Sequence, residues 1–156
     1  MTVSALEAAG LTRMDDGEIR SFLSNRRVGV LGLPTDDGPY MIPLSFGYDE
    51  NRTLYFTFVG GPSSRKQTLA EQADTACVLA YAVESLFHWE SVRLNGTIDA
   101  VPESEWDDLA AVLDSAWRPE LFETAIEAGD IAVYRFHVDE QEGVRHAGLP
   151  PGFEPE

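Results

Sequence analysis

Tyr40-Met41-Ile42-Pro43-Leu44-Ser45-Phe46-Gly47-Tyr48 and Thr53-Leu54-Tyr55-Phe56-Thr57-Phe58-Val59, separated by the turn residues Asp49-Glu50-Asn51, decide the fold class. Both runs are rich in β-branched and aromatic residues, which pack well on a pleated surface. A connection this short joins antiparallel neighbours. Upstream, Val28, Val30 and Leu31 begin another strand, and Asp36-Asp37-Gly38 between Pro34 and Pro39 supplies hairpin chemistry. Downstream, residues 75–83 form a strongly apolar run. Over 89–101, Val92, Leu94, Gly96 and Ile98 alternate with Arg93, Asn95, Thr97 and Asp99, and residues 130–138 alternate in the same way. Six strands joined mostly by tight turns predict an antiparallel, barrel-like sheet, not a parallel βαβ layout. Pro43 within its strand calls for a bulge, an edge or a ligand-facing opening.

Helices fill the gaps. Asp15 caps a run with Ile19, Phe22 and Leu23 at helical spacing, ending near Asn25. Gly60-Gly61-Pro62-Ser63-Ser64 delivers the chain into a second helix holding Lys66, Leu69 and Ala70, which closes before Asp74. Pro102-Glu103-Ser104-Glu105 opens an acidic helix with Trp106, Leu109, Ala110 and Leu113 as its apolar stripe, and a further helical piece is expected over 119–128. Residues 1–14 are poorly patterned and read as a mobile arm or short helix. Residues 148–156, with three prolines, read as an extended tail. One domain spanning 1–156 is expected, without repeat or linker.

The composition is acidic: 27 Asp and Glu oppose 11 Lys and Arg, a net charge of −16. Such a field repels nucleic acid and anionic membranes, so neither is an expected partner. Ten arginines against one lysine resemble the proteome style of salt-loving archaea, where carboxylates hold water and salt screens their repulsion. No run approaches the length of a membrane span and the N-terminus lacks a signal pattern, so a cytoplasmic location is expected. Cys77 is the single cysteine and falls in an apolar run, which predicts a buried, inert thiol. His88, His137 and His146 lack the close spacing of zinc ligands, so no metal site is expected.

Against this background the one lysine, Lys66, stands beside Arg65 and after Ser64 at a helix start. Two adjacent cations, a hydroxyl and the unpaired first N–H groups of a helix suit a phosphate. Arginine forks onto two phosphate oxygens while lysine supplies a point charge. The alternative is a solvated helix face paired with Glu71 or Asp74, at spacings poor for helix pairs.

These motifs, in this order, resemble the pyridoxamine 5′-phosphate oxidase-like, flavin-binding split barrels, over roughly Asp16 to His137. Ile42-Pro43-Leu44-Ser45-Phe46 is similar to that family's strand lining the isoalloxazine ring. Leu54-Tyr55-Phe56-Thr57 is similar to its Leu-Tyr-Phe strand. Ser64-Arg65-Lys66 falls where the family's basic residues hold the flavin phosphate. Trp89-Glu90-Ser91-Val92, four residues before Gly96, resembles the strand bordering the ring. The resemblance implies a mainly β (α+β) fold, a six-stranded antiparallel split β-barrel with short flanking helices. It also implies FMN as cofactor and a homodimer whose flavin sites draw on both subunits. Candidate cofactor-binding residues are Ile42, Pro43, Leu44, Ser45, Phe56, Thr57, Ser64, Arg65, Lys66, Trp89, Ser91 and Val92. Phe56 is a candidate for facing the ring, with a core position as the alternative. Trp89 is placed either at the rim of the ring or across a dimer interface.

The implied activity is an FMN-dependent oxidoreductase passing electrons from a small-molecule donor such as NAD(P)H to a small organic acceptor. No residue stands out as a general base. True pyridoxamine-phosphate oxidases carry a C-terminal Trp and an Arg-containing motif, and here no tryptophan follows Trp117. Nitro-compound reduction, as in the nitroimidazole-resistance branch, or general flavin reduction fits better than vitamin B6 oxidation. Two other readings stay open: a non-catalytic flavin- or haem-binding store or sensor, and a deazaflavin-dependent reductase on the same barrel.

Overall fold

The computed structural model describes residues 10–60, 64–109, 111–112 and 131–148. Its elements in chain order are β1 (Leu11–Met14), α1 (Asp16–Ser24), β2 (Val28–Leu33), β3 (Tyr40–Tyr48), β4 (Thr53–Val59), α2 (Arg65–Gln72), β5 (Ala76–Ser85), β6 (His88–Ala100), a 3-10 helix (Glu103–Leu109) and β7 (Ile131–Ala147). Strands run in the order β7-β4-β3-β2-β5-β6, and β6 pairs again with β7 to close a six-stranded antiparallel barrel. β1 is a seventh strand added to β7.

Alternation sorts each strand into an inner and an outer row. Phe46, Leu54, Phe56, Val78, Val92, Leu94 and Phe136 are fully buried and form one interior cluster. Burying a side chain of this size contributes about 1.5–3 kcal/mol, so the inner row dominates the stability of the fold. α1 begins with a capping box, in which Asp15 Oδ1 accepts from Glu18 N at 2.8 Å and Glu18 Oε1 accepts from Asp15 N at 3.4 Å. Those bonds satisfy two N–H groups that the first turn would leave unpaired. The helix then lays Ile19, Phe22 and Leu23 on the interior cluster, and α2 adds Ala70. A second small cluster, Tyr55, Val101 and Val133 with Trp106, Leu109 and Val112, seats the 3-10 helix on the outside of β4 and β7.

Several expectations are corrected. Residues 11–14 are not an arm: they form β1, with Leu11 opposite His146 and Met14 opposite Gly143. The last strand does not stop at Val138 but runs to Ala147, paired with β6 from Tyr134 onward. The fourth and fifth expected strands shift by one or two residues, to Ala76–Ser85 and His88–Ala100. Pro43 sits in a regular β2–β3 register, so it marks an edge and not a bulge. Residues 1–9, the helical piece expected over 119–128 and the tail 149–156 lie outside the described residues. Among the described residues no helix is long and apolar enough to cross a membrane.

Candidate functional site

The barrel wall opens between β3 and β4. β3 pairs with β2 from Tyr40 to Ser45. It meets β4 only at Phe46, Gly47 and Tyr48, opposite Phe56, Tyr55 and Leu54. Beyond Phe56, the residues Thr57, Phe58 and Val59 pair with β7 alone. The two strands therefore diverge and leave a slot with a free backbone edge along residues 40–45. Pro43 is tolerated there because an edge position has no ladder bond to lose.

α2 delivers its N-terminus to this slot. Ser64 is its N-cap in an extended conformation and makes no side-chain capping bond. The first-turn N–H groups, which have no intrahelical partner in any helix, are thus left uncapped by that hydroxyl. The Arg65 guanidinium lies 5.2 Å from the ring centre of Tyr40, at the start of β3. The Lys66 ammonium lies 5.5 Å from that of Phe58, near the end of β4. One cation thus rests on each side of the slot, held by an aromatic face. Among the described residues neither forms an ion pair, and the expected alternative partners Glu71 and Asp74 do not engage them.

Thr57 adds the most telling atom. The residue is only 8 % exposed, and its Oγ1 is buried with no hydrogen-bond partner among the described residues. Buried hydroxyls in folded proteins are nearly always bonded, so its partner lies beyond the described residues of this chain. Gly60 precedes the helix with φ +144, and a Cβ there would lie 3.7 Å from Ser64 Oγ. The turn into α2 needs the conformational freedom that glycine has.

Strand alternation divides the remaining candidates. Leu44, Phe56 and Val92 point inward and are 8 %, 0 % and 0 % exposed, so their side chains belong to the core. The Phe56 ring packs on Phe58 and Tyr134, with centroids 5.5 and 6.2 Å away, and does not face a ligand. Ile42 is half-buried against the core, whereas Pro43 is exposed and Ser45 half-buried in the outer row. Ser91 and Trp89 also stand in the outer row, but on β6. Ser91 is opposite Tyr81 of β5, and β2 and β5 separate β6 from β3. At a spacing of about 4.8 Å per strand, Ser91 is too far around the wall to share the slot of its own chain with Ser45. Trp89 stacks on His146 of the same chain at 6.2 Å, and His146 Nδ1 lies 2.8 Å from the Phe87 carbonyl.

Tyr40 and the outer face escaped the sequence reading. Val28, Met41, Tyr81 and Val83 are 61, 60, 54 and 65 % exposed. They lie in the outer rows of β2, β3 and β5, around Val30, which pairs with Pro43 on one side and Leu79 on the other. The signal was present in residues 76–83, which are apolar at consecutive positions: a strand apolar on both faces has both faces to cover. Among the described residues no group of His, Cys, Asp or Glu is placed to hold a metal ion.

Comparison with known proteins adds to the geometry. The family model described as Pyridoxamine 5′-phosphate oxidase matches residues 15–145. No curated protein matches the chain in sequence. Among solved structures, an FAD-binding protein of Mesorhizobium loti is similar with a TM-score of 0.70 at 20 % identity, covering 88 % of this chain and 98 % of that one. The FAD and heme binding protein of Mycobacterium smegmatis gives 0.70 at 18 % identity, covering 90 % and 75 %. A Bacteroides thetaiotaomicron protein provisionally assigned to 5-nitroimidazole antibiotic resistance gives 0.66 at 20 % identity, covering 87 % and 89 %. Likeness at these identities establishes a shared fold.

Proposed function

The chain belongs to the pyridoxamine 5′-phosphate oxidase family, and from that premise we propose that it is an FMN-binding oxidoreductase working as a homodimer. The observation that carries this reading is the pair of cations at the start of α2, Arg65 on the Tyr40 ring of β3 and Lys66 on the Phe58 ring of β4, neither in an ion pair among the described residues. A phosphate monoester carries roughly two negative charges, and in a chain of net charge −16 it needs local cations to stay bound.

Arg65, Lys66 and Ser64 at the helix start would hold the phosphate, and the Thr57 hydroxyl of β4 would be a further donor to the bound cofactor. Backbone groups of the edge over 42–45 would orient the ring, since the side chains of Leu44 and Phe56 are buried in the core. When bound, the flavin supplies the electron and hydride transfer. The chain binds, orients and excludes water. The apolar outer face of β2, β3 and β5 is the surface for the second copy, because contiguous exposed apolar patches mark association sites. Ser91 and Trp89, distant from the slot of their own chain, serve the slot of the partner. The reduced donor is a molecule such as NAD(P)H and the acceptor a small organic compound. The nitro-compound and general flavin reductase roles fit the absence of a C-terminal tryptophan after Trp117.

The test is loading, not turnover. Arg65→Ala combined with Lys66→Ala should lose FMN, read as the flavin absorbance of protein purified in high salt, while far-UV circular dichroism stays unchanged. A double variant that remains fully yellow places the phosphate elsewhere and ends this assignment.

A further inference from the structure

Arg65 and Lys66 are held by rings and not by acids. In a chain where 27 Asp and Glu face 11 Lys and Arg, acids are within easy reach of most cations. Arg13 and Arg93 pair with Glu142, and Arg145 pairs with Glu18 and Glu90. Arg65 is exposed, and Glu71 and Asp74 stand on and just beyond its own helix. Among the described residues neither of them, nor any other acid, pairs with it. Its guanidinium lies over the Tyr40 ring instead, 5.2 Å from the centre.

The choice of holder decides what the cation can still do. A carboxylate partner cancels the charge and occupies the N–H bonds with which a guanidinium forks onto oxygens. An aromatic face attracts the cation through its quadrupole, which leaves the net charge and those N–H bonds for another acceptor. Tyr40 is also a fixed platform. It opens β3 opposite Leu33 of β2, and its half-buried ring packs against the interior cluster. A long side chain held in advance loses less freedom when a ligand arrives.

Lys66 repeats the arrangement on the other strand. It lies 5.5 Å from the centre of Phe58, whose ring packs on Phe56 and Tyr134 at 5.5 and 4.9 Å. Arg26 of α1 also rests on a ring, Phe22, at 5.1 Å, so a single contact of this kind carries little. What singles out Tyr40 is that adjacent cations of one helix rest on the two strands that flank the slot.

We propose that Tyr40 is a positioning residue for the flavin phosphate: its ring holds the Arg65 guanidinium at the slot and leaves its charge uncancelled. If Arg65 binds the phosphate, the premise on which this rests, loss of the ring weakens only ligands that carry a phosphate. Riboflavin is the matched probe, with the same ring and ribityl chain and no phosphate. The measurement is the ratio of the riboflavin and FMN dissociation constants, from fluorescence titrations of the flavin-stripped full chain in one high-salt buffer.

Tyr40→Leu should lower the ratio about two- to fivefold, the worth of an exposed cation–ring contact, and Tyr40→Phe should keep the parent value. Arg65→Ala should lower it further, by about tenfold, and Tyr40→Leu added to Arg65→Ala should change nothing more. A role carried by the Tyr40 hydroxyl fails the phenylalanine rescue, and a purely structural role weakens riboflavin and FMN alike; either result overturns the proposal. Tyr40→Met, also without a ring, gives the same test should the leucine variant fold poorly. An unchanged ratio in the ringless variants, with a lowered one in Arg65→Ala, removes Tyr40 and leaves the phosphate reading standing. An unchanged ratio in Arg65→Ala overturns both.

Discussion

Replacing Thr57 by valine should move stability and cofactor affinity in opposite directions. The side chain is buried, and among the described residues its Oγ1 has lost water without gaining a partner. A buried hydroxyl left unpaired costs about 1–3 kcal/mol, so a methyl of similar shape should stabilise the flavin-free protein by about 1 kcal/mol. For a chain of this length that is a rise in Tm of about 2–4 °C. With FMN bound, the same hydroxyl donates to an ionised phosphate oxygen, a bond worth about 1.5–3 kcal/mol. Its loss should weaken binding about ten- to a hundredfold. The assay pairs a thermal melt of flavin-stripped protein in high salt with a titration of FMN fluorescence, using Thr57→Ser as the control that keeps the hydroxyl. A structural hydroxyl would lower Tm on removal and leave affinity alone. If Thr57→Val lowers the apo Tm, or binds FMN as tightly as the parent, the hydroxyl does not face the phosphate.

Val28→Asp with Tyr81→Asp puts charge on two side chains that are 61 and 54 % exposed. Light scattering behind gel filtration should then report a folded monomer, and an unchanged dimer would remove the outer face from the interface. The acidic composition predicts that Tm rises between low and molar KCl as screening relieves carboxylate repulsion, and a flat Tm would rule out salt adaptation. Tyr134 has its phenol pKa pushed up to about 12, from an ordinary value of 10.0, first by burial and then by the Glu71 charge. The unfolded chain loses this proton from about pH 10 while the folded chain keeps it to about 12, so stability present below that window declines through it. Tyr134→Phe should flatten the decline, and superimposable alkaline unfolding curves would show that the phenol does not contribute.

How much of the fold was readable depended on how local its causes are. β4 occupies 53–59 as expected because composition and flanking turns act within that segment. α1 is specified by its own capping box and by three apolar residues at helical spacing. β1 could not be found this way. Leu11, Thr12, Arg13 and Met14 show no alternation of apolar and polar residues, and the strand exists because β7 presents a free edge from Gly143 onward. The second half of β7 was hidden for a related reason. Asp139, Glu140, Gln141 and Glu142 are polar at four consecutive positions and carry no alternation, because they lie in a stretch paired on one side only. The bulge there depends on a residue in another strand: a Cβ on Gly96 would lie 1.9 Å from the His137 carbonyl oxygen. No window of sequence contains both partners of that contact.

The site was legible in its charges and obscured in its directions. Lys66 stands out by composition alone, and the structure sets it and Arg65 on aromatic rings on either side of the slot. Direction needed one fixed point, because a strand apolar on both faces gives no sign of which row is inside. Once Phe46 is inward, alternation forces Leu44 inward and Ser45 outward; once Phe56 is inward, Thr57 must turn away from the core. The large side chains that looked most like ring contacts are therefore spent on the interior. The wall of the slot is left to small polar groups and bare backbone. Among the described residues the edge over 40–45, the Thr57 hydroxyl and the two α2 cations are all without a polar partner, and in none of the three could that be read from residue type alone.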